Sequence, residues 1–514
     1  MSKDNIIALA IFCISSIAFF IWGFQYIPSH HFIIFSVATI FGIFMAFNIG
    51  GNDVANSFGT SVGAKTITIK QALLIAAIFE LSGAIFAGGE VTKTIRQEII
   101  KLPVTDFDPM LFVFVMMAAL LSAGLWLMIA SKKGLPVSTT HSIIGGIVGA
   151  GLALGYVLTS GDNLTAMVQW NKIGQIAISW VISPLLGGLF SYAIYYQINK
   201  NILIPSKITQ SKQARYKERR KALKEAYKLH IKDKSQEEQI KELSLLAFHD
   251  EEDGELTNLS DFQQKIKDLK HKEKNINTFL HIKRFVPHVG AFTATVIASM
   301  LLFKGLKNLH LNFSTVETLW ILFVIGTCAY LASAALIGIM AKNDPNKAII
   351  RIFSWFQIFT ASAFAFSHGA NDIANAIGPF AAILDILKTG AINGKAPVPT
   401  IAMATFGVAL IVGLWFLGKE VIQTVGSRLA EILPVTGFSA ELGASTVILF
   451  ATKLGIPVSS THILIGAILG IGILNKDANW KMVKPIVAAW LITLPAAAIS
   501  SAIFFFILKY MAGY

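Results

Sequence analysis

The stretch GLPVSTTH at residues 134–141 recurs as GIPVSSTH at residues 455–462, 321 positions later. A second stretch, NDVAN at residues 52–56, recurs as NDIAN at residues 371–375, 319 positions later. The two copies therefore keep both the order and the spacing of the motifs, which indicates an internal duplication. We predict a chain built from two related halves.

The composition around these motifs is typical of a membrane protein. Of the 514 residues, 54% are hydrophobic and only 14% are charged, and the mean hydropathy is +0.62. A soluble domain carries about 25% charged residues. Residues 200–284 hold 34 of the 73 charged residues, 20 basic and 14 acidic. We therefore predict an all-α polytopic membrane protein, in which one charged segment lies outside the bilayer.

Thirteen apolar runs are candidates for membrane-spanning helices, which need about 20 mostly apolar residues each. Several runs are short, so we expect about 12–13 membrane segments. The runs cover residues 6–24, 32–49, 72–88, 110–130, 137–158, 173–198, 289–302, 316–340, 349–366, 401–417, 438–451, 458–474 and 486–508.

The charged segment divides the chain into four parts. We predict an additional N-terminal membrane helix in residues 1–31, a first repeat in residues 32–199 and a second repeat in residues 286–514. Residues 200–285 are predicted to be a charged loop, and their helix formers with charges of opposite sign three or four apart indicate an exposed helix over residues 212–243. A break is expected at HDEEDGE, residues 249–255.

The number of crossings predicts the orientation of the repeats. The basic excess places the loop in the cytoplasm, so six preceding runs put the N-terminus there as well and seven following runs put the C-terminus outside. The first NDxAN motif ends the second run and its copy ends the ninth, so the copies face opposite ways across the bilayer. A weaker sign of the same duplication is a pair of tryptophans ten residues apart in each half, Trp170 with Trp180 and Trp480 with Trp490. Inverted-topology repeats are associated with alternating-access transporters.

The NDxAN motifs carry the chemistry of a cation site. Residues 47–59 place a carboxylate and several carboxamides at the end of an apolar run, where a charge is costly unless it is paired or hydrated. Gly50 and Gly51 are expected to let the helix unwind, and the freed carbonyls with the Asn and Asp oxygens then suit a hard cation such as Na⁺. The copy at residues 368–372 has the same ingredients. A helix-end cap would explain one motif, but two copies at matched positions favour ion binding.

The PVST motifs, which are PVSTTH at residues 136–141 and PVSSTH at residues 457–462, carry the chemistry of an anion site. A proline and hydroxyl residues before a glycine-rich apolar run indicate a helix N-terminus, with free N–H donors and the positive end of the helix dipole. Each motif is predicted to lie at the tip of a helical hairpin that dips into the membrane, and such a tip binds anions readily. Capping alone, without a ligand, is the competing interpretation. His141 and His462 could titrate near neutral pH, although support of the tip is the favoured interpretation.

Together the motifs predict coupled binding. Two acidic side chains beside two anion-binding tips repel an anion unless cations lie between them, so each ligand is expected to raise the affinity for the other. The four motifs contain no lysine or arginine, so the charge balance must come from co-ions. The net charge of +13 does not indicate nucleic-acid binding, because only +6 of it lies in the loop and acids interleave with the bases there.

These motifs resemble the duplicated signatures of the inorganic phosphate transporter (PiT) family, from about residue 32 to residue 508 outside the loop. The resemblance implies symport of inorganic phosphate with Na⁺ or H⁺, no resident cofactor or structural metal, and hairpin tips that carry the PVS-type motifs. By the resemblance, phosphate would be bound by Ser138, Thr139, Thr140, Ser459, Ser460 and Thr461, with Asp53 and Asp372 at the border of the site. The cations would be bound by Asn52, Asp53, Asn56, Asn371, Asp372 and Asn375, and the intramembrane acids Glu80 and Glu441 resemble functional glutamates for a further cation or a proton.

The departures from a strict repeat are also informative. Ile49 stands where the second copy has His368, which puts a paired role for this histidine in doubt. The apolar helix in residues 1–31 is an addition to the family core.

The leading hypothesis is a transporter in the plasma membrane, the inner membrane of a bacterium, that imports phosphate by alternating access. Sulfate is the nearest alternative oxyanion, but phosphate can donate a hydrogen bond to Asp53 or Asp372 and sulfate at neutral pH cannot. An intramembrane phosphatase using His141 or His462 is disfavoured, since no basic phosphate clamp accompanies the histidines. A channel is disfavoured because two closable tips suggest occlusion. The sequence leaves the oligomeric state open, with a homodimer as one arrangement, and does not separate Na⁺ from H⁺ coupling.

Overall fold

The fold is known from a computed structural model, and the part of the chain that it describes is helical apart from one isolated antiparallel bridge between Ile100 and Val168. The described residues are 3–87, 99–100, 107–165, 167–232, 234–241, 244, 261–300, 302, 313–340, 344–392 and 398–514.

Seventeen helices of eight or more residues organise the described chain. The first seven are α1 (Lys3–Tyr26), α2 (Phe32–Ile49), α3 (Ala55–Gly63), α4 (Ile69–Ala87), α5 (Pro109–Lys132), α6 (Thr139–Leu158) and α7 (Trp170–Ile198). The next four are α8 (Ile204–Ile231), α9 (Asp261–Lys274), α10 (Leu280–Met300) and α11 (Thr315–Met340). The last six are α12 (Pro345–Asp372), α13 (Ala374–Thr389), α14 (Thr400–Gln423), α15 (Pro434–Lys453), α16 (Ser460–Asn475) and α17 (Trp480–Met511).

The predicted class is confirmed. The described residues contain 11 helical stretches that are long and apolar enough to cross a membrane, and α16 is a shorter apolar helix. This number is lower than 12–13 for two reasons. α16 has only 16 residues, and α10 does not qualify because Lys283, Arg284 and His288 lie among its 21 residues.

The described residues form two compact units. The larger unit comprises Met1–Tyr196, Phe292–Thr327 and Ile350–Tyr514, and it contains all the predicted site residues. The smaller unit comprises Gln197–Ala291 and Cys328–Ile349.

The smaller unit contains the charged segment as a pair of packed helices. Tyr227 and Ile231 of α8 pack against Ile266 of α9, and a shielded ion pair joins Arg220 Nε to Glu273 Oε2 at 2.9 Å. The residues of the predicted helix are helical as far as Ile231, where α8 ends before a separate short helix at residues 236–241, and one part of its surface is packed against α9. The predicted break at residues 249–255 lies outside the described residues.

Glycines let the two halves of the larger unit approach closely. A Cβ atom at Gly50 would collide with the backbone oxygen of Leu410 on α14, and a Cβ atom at Gly413 would collide with the oxygen of Phe47 on α2. Both glycines are helical, so they are needed here for the close approach of two backbones rather than for a turn.

The same contact recurs in the other half. A Cβ atom at Gly369 would collide with the backbone oxygen of Glu80 on α4, and one at Gly83 with that of Phe366 on α12. Gly369 and Phe366 each lie 319 positions after their counterparts Gly50 and Phe47. The sequence duplication thus extends to the packing of the helices that carry the NDxAN motifs.

Replacing Gly50 by alanine is expected to lower the stability of the larger unit by about 3 kcal/mol, because the added methyl group forces α2 away from α14. The matched control is Gly338→Ala in α11, where nothing lies within 4 Å of the added Cβ atom. The measurement is the melting temperature of the purified protein in detergent, and equal melting temperatures for both variants would contradict this explanation.

Candidate functional site

Two helical hairpins present the PVST motifs. Helices α5 and α6 form hairpin one, and α15 and α16 form hairpin two. Gly134 and Gly455 begin the two turns with φ of +64° and +67°, a conformation that favours glycine. Ser138 accepts a hydrogen bond from the backbone N–H of His141 at 3.1 Å and so caps α6. The motif in hairpin one therefore lies at a helix N-terminus, as predicted.

Hairpin two repeats this geometry. Ser459 caps α16 by accepting from the N–H of His462 at 3.2 Å. Both tips are joined directly, since Thr140 Oγ1 donates to the backbone oxygen of Val458 at 3.1 Å. The starts of α6 and α16 therefore lie in direct contact, and the tip residues on both sides are buried.

The NDxAN motifs differ from the prediction in one respect. The expected unwinding is wrong for the first copy, because Gly50–Val54 stays helical as a wide π-turn between α2 and α3. In the second copy only Ile373 interrupts the helix, between α12 and α13. The physical reason is the packing described above, in which Gly50 admits a neighbouring backbone and helical hydrogen bonding is retained. Widened turns of this kind are frequent at functional sites.

The two aspartates meet the hydroxyl groups of the tips. Asp53 is 1% exposed and accepts hydrogen bonds from Thr139 of hairpin one and Thr461 of hairpin two. Asp372 accepts from Ser460 of hairpin two at 2.6 Å. The structure therefore brings together the carboxylates and the tip hydroxyls that the sequence assigned to one site.

The last asparagine of each motif reaches the hairpin of the other half. Asn56 Nδ2 donates to Thr461 Oγ1 at 2.8 Å. Asn375 Nδ2 donates to Thr139 Oγ1 at 3.1 Å and lies 3.3 Å from Thr140 Oγ1. Each half thus contributes to a site that the other half completes.

The first asparagine of each motif holds the hairpin of its own half. Asn52 Nδ2 donates to the backbone oxygen of Leu135 at 3.0 Å, and Asn52 Oδ1 accepts from the N–H of Val137 at 3.0 Å. Asn371 Nδ2 donates to the backbone oxygen of Val458 at 3.0 Å. The Asn52 amide is therefore engaged on both sides by hairpin one.

Three amide oxygens in the site are buried without a hydrogen-bond partner among the described residues. They are the Oδ1 atoms of Asn56, Asn371 and Asn375. A buried carbonyl oxygen without a partner is costly, and such oxygens are suitable ligands for a hard cation. These three atoms are therefore the best candidates for cation ligands in the motifs.

A histidine supplies the basic group that the motifs lack. His368 is buried with its Nδ1 atom 2.9 Å from Glu80 Oε2 and its Nε2 atom 2.7 Å from Asp372 Oδ2, the second at ion-pair distance without hydrogen-bond alignment. One oxygen or nitrogen atom each of Asp53, His368 and Asp372 lies within 4.8 Å of the others. The sequence interpretation left His368 without a role. Its position four residues before Asp372, on the same helix face, was the signal that could have identified it.

Replacing His368 by isoleucine is expected to lower stability by about 3–5 kcal/mol, because the Glu80 and Asp372 carboxylates then lie buried without a positive partner. The double variant His368→Ile and Glu80→Leu should regain part of this loss. In the other half, Ile49 stands at the position of His368 and Leu410 at that of Glu80, so an apolar pair fits this contact without a buried charge. Melting temperatures in detergent check both expectations. A double variant no more stable than the single one would show that the pairing of Glu80 with His368 is not the cause.

The second predicted glutamate lies in a different polar cluster. Glu441 of α15 is fully buried and accepts hydrogen bonds from four neutral residues of two other helices, α3 and α12. Thr60 and Ser61 donate to Oε1 at 2.7 and 2.6 Å, Gln357 donates to the same oxygen at 3.2 Å, and Thr360 donates to Oε2 at 2.7 Å. Gln357 and Thr360 were not predicted from the sequence, although they are spaced as neighbours on one face of an apolar helix.

A buried cluster of carboxylates, carboxamides and hydroxyl groups inside a polytopic helical membrane protein defines a transport protein for small ions. Residues 49–501 match the sequence model of the phosphate transporter family. The chain belongs to this family, and it is a phosphate transport protein rather than an enzyme.

Individual proteins are similar over most of the chain. A Mycobacterium bovis protein named as a phosphate permease is 49% identical over 497 residues, which cover 95% of this chain and 90% of that protein. The chloroplastic inorganic phosphate transporter 2-1 of Arabidopsis thaliana is 33% identical, over 91% of this chain and 71% of that protein. A solved structure named the sodium-dependent phosphate transporter superposes with a TM-score of 0.71 at 29% identity, covering 93% of this chain and 99% of that chain.

Proposed function

We propose that the protein is a secondary active transporter that imports inorganic phosphate together with Na⁺ by alternating access. The observation that carries the proposal is that hydroxyl groups of two separate hairpin tips converge on Asp53 and Asp372 in one buried cluster. The solved neighbour named as sodium-dependent favours Na⁺ over H⁺ as the co-ion.

The tips supply the phosphate pole of the proposed site. Thr139, Ser460 and Thr461 donate to carboxylates and are free to rotate towards a phosphate oxygen instead. Ser138 and Ser459 cap the helices by accepting from the N–H groups of His141 and His462, so they serve phosphate by fixing where α6 and α16 begin. The positive ends of the α6 and α16 dipoles add to the attraction.

The NDxAN motifs supply the cation pole. The unpartnered oxygens of Asn56, Asn371 and Asn375 and the carboxylates of Asp53 and Asp372 form a ligand set of oxygen atoms that suits Na⁺. Asn52 contributes to the cation pole indirectly, because its hydrogen bonds hold hairpin one in position.

Coupling follows from competition for the same hydroxyl groups. In the structure the hydroxyls of Thr139 and Thr461 both donate to Asp53. A Na⁺ ion on Asp53 takes over its oxygen atoms, and the two hydroxyls are then released to donate to phosphate. Phosphate binding in turn supplies negative charge beside the cation, so each ligand strengthens the other by the same factor.

We assign Glu441 to a further Na⁺ site. Its four donors are neutral, so the buried carboxylate has no positive partner among the described contacts, and Thr60, Ser61, Thr360 and Gln357 all carry oxygen atoms that can bind a cation. Glu80 is engaged with His368 through Oε2, and its second oxygen is the atom that a cation would bind.

The proposed orientation follows the sequence argument. Inverted repeats in a plasma membrane, with the charged loop and the N-terminus in the cytoplasm and the C-terminus outside, place one hairpin tip on each side of the site. Opening one hairpin while the other stays closed then gives alternating access.

The test is uptake of radiolabelled phosphate into proteoliposomes, with the Na⁺ and H⁺ gradients imposed independently and sulfate added as competitor. We expect uptake only with an inward Na⁺ gradient and no inhibition by equimolar sulfate. Uptake without a cation gradient would overturn coupling, and uptake driven by H⁺ alone would overturn the choice of Na⁺.

A further inference from the structure

Four aromatic rings lie in contact at the starts of helices α6 and α16. The ring of His141 lies 3.8 Å from that of Trp180, and the ring of His462 lies 3.7 Å from that of Trp490, measured between centroids. The two histidine rings are 4.5 Å apart. Each histidine follows the hydroxyl residues of its tip directly, so the cluster links both tips of the site.

The two tryptophans belong to helices that cross between the halves. Trp490 lies on α17, which follows hairpin two in sequence but packs against hairpin one, where Gly145 meets the backbone of Leu494. Trp180 lies on α7, which follows hairpin one but packs against hairpin two, where Gly466 meets the backbone of Pro184. The helix that carries each tryptophan therefore contacts both hairpins.

The cluster is asymmetric in its hydrogen bonds. Trp490 Nε1 donates to the backbone oxygen of Pro136 in hairpin one at 3.1 Å. Trp180 Nε1 is buried and has no hydrogen-bond partner among the described residues. The equivalent acceptor for Trp180 is Pro457 of hairpin two, which lies 321 positions after Pro136. The equivalent bond is not made.

The asparagine contacts show the same asymmetry. Asn52 Oδ1 accepts from the N–H of Val137 in hairpin one, whereas Asn371 Oδ1 has no partner among the described contacts of hairpin two. At these two positions the hydrogen bonds to hairpin one are made, and the equivalent bonds to hairpin two are not made among the described residues. A protein that alternates between two arrangements is expected to show such unequal contacts in its two related halves when it is in one of them.

We propose that Trp490 and Trp180 are positioning residues that form an exchangeable latch on the two hairpin tips. In the arrangement described here Trp490 holds hairpin one through Pro136. In the opposite arrangement Trp180 holds hairpin two through Pro457, and Trp490 Nε1 is left without a partner. Contact between His141 and His462 transmits the change, because each imidazole packs on the tryptophan that holds or releases a tip.

The energetics give each substitution a sign. Trp490→Phe removes a hydrogen bond from the described arrangement and an unpaired buried N–H from the opposite one, so it shifts the equilibrium towards the opposite arrangement. Trp180→Phe does the reverse. Each shift should be at least about fivefold in the equilibrium constant, because one neutral hydrogen bond alone contributes about that much and relief of the unpaired N–H adds to it. The double variant should return close to the wild-type value.

The test is hydrogen–deuterium exchange of the full-length protein in nanodiscs without phosphate. The readout is the exchange rate of the tip amides in residues 134–141 and 455–462. We expect faster exchange in hairpin one and slower exchange in hairpin two for Trp490→Phe, the opposite pattern for Trp180→Phe, and cancellation in the double variant. Shifts of the same sign in both single variants, or no shift, would overturn the latch. If Trp490→Phe does not fold, Trp180→Phe decides, because slower exchange in hairpin one cannot result from lost packing.

The latch rests on the proposed alternating-access function, but the two can fail separately. Wild-type uptake of radiolabelled phosphate is measured in parallel and does not depend on the exchange data. Opposite exchange shifts without any Na⁺-driven uptake would support the latch and overturn the function. Na⁺-driven uptake together with exchange shifts of the same sign in both variants would support the function and overturn the latch.

Discussion

Asp53→Asn is expected to lower Na⁺-driven phosphate uptake by about 100-fold or more, while the protein still inserts and folds. The carboxylate accepts from Thr139 of one hairpin and Thr461 of the other, and a charge-assisted hydrogen bond contributes about 1.5–3 kcal/mol. An asparagine keeps one acceptor oxygen but loses the negative charge that attracts Na⁺. The measurement is the initial uptake rate in proteoliposomes at saturating Na⁺.

The matched control for this variant is Asp162→Asn, which removes one negative charge from an exposed turn of the same unit. Its uptake rate should equal that of the wild type. Asp372→Asn should lose uptake in the same direction as Asp53→Asn, since Asp372 accepts from Ser460 and lies beside His368. Full activity of both site variants would remove the aspartates from the mechanism.

Glu441→Gln is expected to raise the Na⁺ concentration for half-maximal uptake by at least about tenfold. The carboxylate accepts four hydrogen bonds from neutral donors, whereas a glutamine offers one acceptor oxygen and places an NH₂ group against further donors. Loss of one charged partner from a buried network corresponds to a few kcal/mol, which exceeds the 1.4 kcal/mol of a tenfold change. The measurement is uptake as a function of Na⁺ at fixed phosphate.

Glu431→Gln serves as the control for the second variant, because Glu431 is exposed and lies ten residues earlier in the chain. It should leave the Na⁺ dependence unchanged. Phosphate dependence at very high Na⁺ should be nearly normal in Glu441→Gln, since the tip hydroxyls are untouched. An unaltered Na⁺ dependence in Glu441→Gln would argue that the cluster is structural.

Much of the site was predictable because its motifs carry local signals. Ser138 and Ser459 cap helices through contacts three residues apart, so their role depends on short-range geometry that sequence pattern indicates well. Asp53 and Asp372 are charged groups in apolar runs, and this alone indicates function. Duplication then placed both sets in one site, since matched motifs in related halves occupy matched positions.

Other features depend on which helices meet. Glu80 and His368 lie 288 positions apart, and only the packing of α4 against α12 makes them partners. The other half has Ile49 and Leu410 at the equivalent positions, so the repeats do not match there and symmetry could not reveal the pair. The expected unwinding at Gly50 failed for a related reason, because the sequence does not show that α14 fills the space beside this glycine.

The sequence by itself determined the membrane class, the two related halves and the motifs that carry carboxylates and hydroxyl groups, because composition, repetition and helix capping are local properties of a chain. The tertiary structure decided that Asn56 and Asn375 cross to the hairpin of the other half, that His368 joins Glu80 to Asp372, and that Trp490 and Asn52 make bonds to hairpin one whose equivalents in hairpin two are not made among the described residues. The contacts of Asn56, Asn375 and Glu80 join residues 235 to 405 positions apart, and their pairing depends on how whole helices pack, which no local pattern encodes.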